Sequence, residues 1–295
     1  MKNPNGLIRL ARPKHWVKNI FVLIPVPFAW VANTRSEQGV AEFEIVPFLL
    51  GLLGFCLINS AIYTLNDLFD AEADRLHPRK KNRPIASGEV SVSTAEVQIV
   101  VLLLLGLGLS LATGKAGVLS LVVGYVGINL SYSLGAKHVA LLDVFLLSSG
   151  FVIRVLLGCA LVGATPSAWL LLCTSSLALF LGFTKRRADL IEGLDHNHRP
   201  SLRGYSTAFL DQATTLCAGV AVLSYALYSI EADILTKGRE MASMPFVAFG
   251  VLNYLRLASM EGAGGSPVEI VYSSRSSQVC ALAWLVAVTW SLKLW

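Results

Sequence analysis

Asn66, Asp67, Asp70 and Asp74 stand at the edge of an apolar run, Ile45 to Asn66, that holds no charged residue. On a helix, positions 66, 70 and 74 fall at i, i+4 and i+8, and 67 lies three residues before 70. All four therefore share one face. Like charges at that spacing repel, unless water dilutes them or a cation removes the repulsion. Carboxylate and amide oxygens are hard ligands that suit magnesium, with phosphate among the remaining ligands. The pattern points to Mg2+ held by Asn66, Asp67, Asp70 and Asp74 against an anionic substrate; the alternative is a solvated helix end. Asp74, furthest out, is the member best suited to a supporting role. Tyr63, one turn earlier on the same face, either brings a hydroxyl to the substrate or anchors the helix at the membrane interface.

Five basic residues follow within nine positions: Arg75, Arg79, Lys80, Lys81 and Arg83. Lys80 and Arg83 are singled out as phosphate ligands, as a point charge and a fork; a loop that meets only anionic lipid headgroups is the competing reading. A second charged stretch, "GFTKRRADLIEG", sets Lys185 and Asp189 at i, i+4. They form either a plain helix salt bridge or, with Arg186, part of the same polar cavity. Tyr132 and Lys137 in "NLSYSLGAKH" and Lys18 in "RPKHWVKN" are further candidates, each with interface anchoring as its alternative. Arg154 lies inside an apolar run, where a charge should face the bundle and find an anion. That anion is a substrate phosphate or a carboxylate from another helix. Asp143 lies eleven residues earlier on the same run, about 16 Å along a helix axis.

These groups need helices to position them. The 295-residue chain is 54% hydrophobic and 15% charged, with a mean hydropathy of +0.61; a soluble domain carries about 25% charged residues. A bilayer-spanning helix takes about 20 apolar residues. Windows near 20–33, 45–66, 96–113, 117–134, 139–162, 167–184, 212–230, 244–260 and 278–295 qualify, the first short, proline-bearing and kinked. The expected fold is all-α: a polytopic membrane protein of about nine transmembrane helices around a cytoplasm-facing polar cavity, residues 1–295 forming a single integral domain. With the N-terminus in the cytoplasm, 18 of the 24 basic residues fall on the cytoplasmic side, as the positive-inside rule requires. The net charge of +5 then reflects cytoplasmic loops and gives no cause to invoke nucleic acid. A cleavable leader is discounted because the first apolar run contains Pro25 and Pro27 and many spans follow.

Several chemistries are set aside. The five cysteines fall in apolar windows without a CxxC pair, so they read as small buried hydrophobes. "DHNH" at 195–198 lacks further ligands at zinc spacing. No Walker or dinucleotide glycine motif occurs. A transporter would spread ionisable residues across the bilayer, whereas here they cluster on one side. The two long charged loops echo each other weakly.

At these residues the chain resembles the UbiA superfamily of intramembrane prenyltransferases. "NDLFDAEAD" is similar to the family's first aspartate-rich pattern, N-D-x-x-D-x-x-x-D, on the second of nine helices. The resemblance implies magnesium and a substrate diphosphate at that motif. At the second motif, ordinary members carry D-x-x-x-D, binding a second magnesium; here K-R-R-A-D puts Lys185 where the first aspartate would stand. A cation in place of a cation ligand favours direct contact with phosphate. With "RPKHWVKN", "DRLHPRKKNRPIASG", "GAKH" and "SSGFVIRVLLG", it resembles one branch, the decaprenyl-phosphate phosphoribosyltransferases.

That branch implies transfer of 5-phosphoribose from phosphoribosyl diphosphate (PRPP) to a polyprenyl phosphate, with release of diphosphate. It implies an inner cell membrane location, the active site facing the cytoplasm, and leaves a homo-oligomer open. Asp67, Asp70, Lys185 and Asp189 are then the catalytic candidates. Lys18, Tyr63, Lys80, Arg83, Tyr132, Lys137, Arg154 and Arg186 are the substrate-binding ones. Prenyl transfer from a prenyl diphosphate to an aromatic acceptor is the alternative.

Overall fold

The computed structural model describes residues 4–35, 44–77, 80–192, 200–260 and 274–294. Lys2, Arg79, His196, His198, Arg199 and the side chain of Arg35, which the sequence reading used, lie outside the described residues. Within them all regular structure is helical. Helices α1 (Pro4–Ala11) and α2 (Pro25–Arg35) flank a 3-10 helix, Pro13–Leu23. There follow α3 (Ile45–Phe69), α4 (Ala71–Leu76), α5 (Val92–Ala112), α6 (Ala116–Ser133), α7 (Leu142–Val162), α8 (Ala168–Ile191), α9 (Thr207–Glu231), α10 (Met244–Ser259) and α11 (Arg275–Ser291).

Among the described residues, seven segments are long and apolar enough to cross a membrane: Asn5–Thr34, α3, α5, α6, α7, α8 and α9. The chain is a multi-pass membrane protein. α10 and α11, with 16 and 17 residues, stand at the short end of the roughly 17–25 residues that a spanning helix uses. Seven of the nine expected spans meet the length and hydropathy requirement among the described residues. The first also differs from expectation. It starts at Asn5 rather than near residue 20, and it is broken into three helical pieces, because Pro13 and Pro25 each open a new piece.

Local chemistry accounts for many boundaries. Ser91, Ser167, Ser206 and Ser274 accept N-capping bonds from the backbone N–H three residues on. α5 and α7 run out at Gly114 and Gly163, both in the left-handed region. Inside the helices, hydroxyls such as Thr64, Ser110 and Thr184 donate to the carbonyl four residues back, which satisfies them without water. One side of α5 (Val97, Val101, Leu104, Leu105) is exposed and apolar, as a lipid-facing surface should be.

The chain divides into two compact units. The first comprises Met1–Val26, Ala41–Lys137 and Ile153–Ala164. Its core is Val22, Phe55, Ile58, Ile62, Val122, Tyr125 and Leu157 with their neighbours. Gly54 and Gly106 let α3 and α5 approach closely: a Cβ on Gly54 would lie 2.9 Å from the Gly106 carbonyl oxygen. A smaller cluster around Leu10, Ile85 and Val90 seats α1 under the loop after α4. The second unit comprises Pro27–Val40, His138–Val152 and Thr165–Trp295. Its α8 and α9 lie side by side, with Val144, Phe183, Leu202, Tyr205 and Leu210 forming one apolar cluster. All five cysteines are free; Cys56, Cys159 and Cys280 are buried and Cys173 and Cys217 half-buried.

Candidate active site

The acidic group sits where α3 ends in the first unit. The helix runs to Phe69, Asp70 caps it, and α4 resumes at once and carries Asp74. Each carboxylate is met by a basic side chain. Arg12 Nη2 donates to Asp67 Oδ1 at 2.5 Å. Arg83 Nη1 lies 3.0 Å from the same oxygen and donates to Asp74 Oδ2 at 2.6 Å. Lys80 Nζ stands 4.0 Å from Asp74 Oδ1, and Lys137 Nζ donates to Asp70 Oδ1. Ser133 Oγ donates to Asn66 Oδ1. Arg12 joins α1 to the 3-10 helix in a left-handed conformation, φ 49° and ψ 54°. Pro13 disfavours the helical alternative there.

Tyr63 collects cations from the same N-terminal segment. The Arg12 guanidinium lies 5.5 Å and the Lys18 ammonium 5.9 Å from its ring centroid, and His15 meets the ring edge-on at 5.0 Å. Tyr132 is half-buried on α6, next to Ser133. Arg154 is buried, 4% exposed. It donates to Asn19 Oδ1 at 2.9 Å and to Asn59 Oδ1, with the rings of Phe55 and Tyr125 each 5.3 Å away. The amide oxygens and π faces accept its N–H groups and part of its charge.

In the second unit, Arg186 and Asp143 form a fully buried pair. Arg186 Nε donates to Asp143 Oδ2 at 2.7 Å, both side chains being 1% exposed. Ser201 Oγ donates to the same oxygen at 3.0 Å, and Tyr205 Oη donates to Asp143 Oδ1 at 2.7 Å. Arg186 Nη1 also donates to Asp189 Oδ2 at 3.1 Å. Burial, then the bond donated to Asp143, pushes the Tyr205 phenol above its ordinary range. Lys185, half-buried, precedes Arg186 on α8.

Of the residues singled out in the sequence, Lys18, Tyr63, Asn66, Asp67, Asp70, Asp74, Lys80, Arg83 and Lys137 gather in the first unit around the end of α3. Arg154 lies deeper in that unit's core. Lys185, Arg186 and Asp189 share the end of α8 in the second. Sequence reasoning does not single out Arg12, Ser201 or Tyr205, and it considers Asp143 only against Arg154. The Arg-Pro step at 12–13 and a lone acid opening the apolar run at 143 were the signals available.

The donor set can be tested against magnesium. Asp67 is 2% exposed, and its Oδ2 is buried without a hydrogen-bond partner. An orphaned anionic oxygen on an all-oxygen set with Asn66 and Asp70 fits a hard cation. Asp74 has both oxygens engaged by Arg83 and Lys80. Among the described residues no three His, Cys, Asp or Glu side chains form a ready cage. Magnesium does not require one, since it is commonly held by one or two carboxylates plus phosphate.

Comparison with known proteins agrees with this architecture. The profile of the UbiA prenyltransferase family matches residues 22–259. The chain is 34% identical over 289 residues to a decaprenyl-phosphate phosphoribosyltransferase of Corynebacterium glutamicum, covering 96% of this chain and 86% of that one. It is 34% identical over 297 residues to the protein of the same name from Mycolicibacterium smegmatis, covering 95% and 90%. A solved UbiA homolog from Archaeoglobus fulgidus bound to GPP and Mg2+ superposes with a TM-score of 0.72 at 20% identity, covering 98% of this chain and 99% of that one. This chain belongs to the UbiA prenyltransferase family.

Proposed function

We propose that the protein transfers 5-phosphoribose from PRPP to a polyprenyl phosphate of the decaprenyl type, releasing diphosphate, and so supplies cell-envelope glycolipid precursors. The observation that carries this reading is the 34% identity, across 96% of the chain, to a relative named decaprenyl-phosphate phosphoribosyltransferase. Lys185, in the position where the family pattern has an aspartate, supports it.

The reaction breaks the bond between ribose C1 and the diphosphate oxygen, and an oxygen of the acceptor phosphate bonds to C1. Positive charge grows on the sugar ring, as in glycoside hydrolysis. The acceptor is already an anion, so no strong general base is needed. Asn66, Asp67 and Asp70 would hold Mg2+, which when bound neutralises the departing diphosphate. Asp74 supports this group by holding Arg83 and Lys80. Arg12, Arg83, Lys80 and Lys185 carry the positive charge that orients PRPP phosphates, and Lys18, Tyr63, Tyr132 and Lys137 serve the two substrates at the same membrane side. Arg154 and Arg186, each buried within its unit, hold helices in place. Catalysis is then positioning and electrostatics. Nine spans, with α10 and α11 as the last two, and a cytoplasmic reacting face in the inner cell membrane complete the proposal; the positive-inside distribution supports both.

Purified protein with Mg2+, radiolabelled PRPP and short polyprenyl phosphates, with prenyl diphosphates in parallel, tests the reading. Lipid-linked label from PRPP is the expected result. Transfer from prenyl diphosphates alone would replace it with the prenyltransferase reading.

A further inference from the structure

We infer that Asp143 is a positioning residue. Through Arg186 it fixes the rotation of the last turn of α8, and through Ser201 and Tyr205 it ties the return of the following segment to that same turn. The inference rests on the proposed role of Lys185 and goes beyond it.

Asp143 is completely buried. Its two oxygens take three donors from three chain segments: Arg186 on α8, Ser201 on the 3-10 helix Pro200–Gly204, and Tyr205. The Tyr205 hydroxyl in turn accepts the Leu141 N–H at 2.6 Å, which closes the network onto the start of α7. Leu141 holds a left-handed φ of 67°, a strained setting for a leucine that this bond helps to maintain. A Cβ on Gly204 would lie 2.5 Å from Ala140 Cβ, so the returning segment is pressed onto the same corner. Arg186 before the second loop and Ser201 and Tyr205 after it thus meet on one carboxylate.

The consequence for Lys185 follows from helix geometry. Neighbouring side chains on a helix point about 100° apart. A fully buried Arg186, pinned to Asp143 on one side and to Asp189 one turn on, allows the helix end a single rotation. Lys185 is then aimed by its neighbour's bonds. A buried, fully bonded network of this kind specifies geometry more than it adds stability.

Asp143→Asn keeps the size and an acceptor for Tyr205 but removes the charge that holds Arg186; Tyr205→Phe removes a single hydroxyl and keeps the ring stacked on Phe209. Two measurements are made on intact protein in nanodiscs: amide hydrogen exchange, and the separate KM values for PRPP and polyprenyl phosphate. Asp143→Asn should raise exchange in 185–192 and 200–205 with α5 and α6 unchanged. It should raise the KM for PRPP about tenfold, mid-range for coupled neighbours, with the acceptor KM within twofold. Tyr205→Phe should move the same two readouts in the same direction, less far. Unchanged exchange in these segments, or a uniform rise throughout the protein with both KM values moving together, would overturn the inference. If wild type makes no lipid-linked label from PRPP while exchange still loosens only in these segments, the positioning network stands and the phosphoribosyl reading falls.

Discussion

Arg12 and Asp67, 55 positions apart in sequence, meet at 2.5 Å where the N-terminal segment crosses the end of α3. The carboxylate is buried and the guanidinium is 23% exposed, so the pair lies at the boundary between protein interior and solvent. Arg83 shares the same oxygen. Removing Arg12 leaves a buried anion with one cation instead of two. Arg12→Met should cost about 2 kcal/mol, the order of leaving a buried charged acceptor under-bonded. It should also weaken PRPP binding. The double variant Arg12→Met/Asp67→Asn should recover most of the lost thermal stability and none of the activity. A double variant no more stable than Arg12→Met alone would show that the two residues are not energetically paired.

Asp70 and Asp74 should separate in a magnesium titration of transfer activity. Asp74 is committed to Arg83 and Lys80, while Asp70 meets Lys137 at the mouth of the group. Asp70→Asn should raise the Mg2+ concentration for half-maximal activity by about tenfold or more, since even the partners of metal ligands act on that scale. Asp74→Asn should leave that concentration within about twofold and lower the maximal rate instead, because Arg83 loses its anchor. Chelation should abolish activity in wild type and Mg2+ should restore it. Equal shifts for the two variants would make Asp74 a ligand too.

How much of this was legible beforehand differs by feature. Helical class and membrane character followed from hydropathy, because a bilayer imposes a length and a composition on every span. The acidic face of α3 followed from i, i+4 spacing. The partners of those acids did not. Arg12 reaches Asp67 through a left-handed residue, which no periodicity encodes. Asp143 was weighed only against Arg154 on its own helix; its actual partner, Arg186, lies 43 positions on, and only tertiary packing brings the two together. The sequence places Arg154 inside the bundle, but it does not show that Asn19, Asn59 and two rings meet it there. The last two apolar windows, near 244–260 and 278–295, fold as helices of 16 and 17 residues.

Gly158 lets α7 approach the 3-10 helix Pro13–Leu23. A Cβ there would collide with the Val22 carbonyl oxygen and reach within 3.0 Å of the Pro25 ring. Backbone cannot yield as a flexible side chain can, so Gly158→Ala should destabilise the first unit by about 1–3 kcal/mol. Gly108 on α5 has open space around its Cβ position, and Gly108→Ala should be neutral or stabilising by about 0.5–1 kcal/mol. Thermal denaturation of the two variants in one detergent checks the contrast. Equal midpoints would mean that the close approach is not maintained in solution.

Lys185→Asp restores the aspartate of the family's second motif and reverses the charge on the last turn of α8. If Lys185 meets a PRPP phosphate, the change removes an attraction and adds a repulsion. Loss of one such charged donor costs about 10²–10³ in rate. The variant should therefore fall by at least about a hundredfold in transfer from PRPP. Lys185→Ala, which removes the attraction alone, should fall less. The graded order wild type, alanine, aspartate is what an electrostatic contact demands. Should aspartate and alanine fall equally, Lys185 contributes shape or a single hydrogen bond and not charge. Should the aspartate variant instead gain transfer from a prenyl diphosphate, this one position decides which diphosphate the family fold accepts.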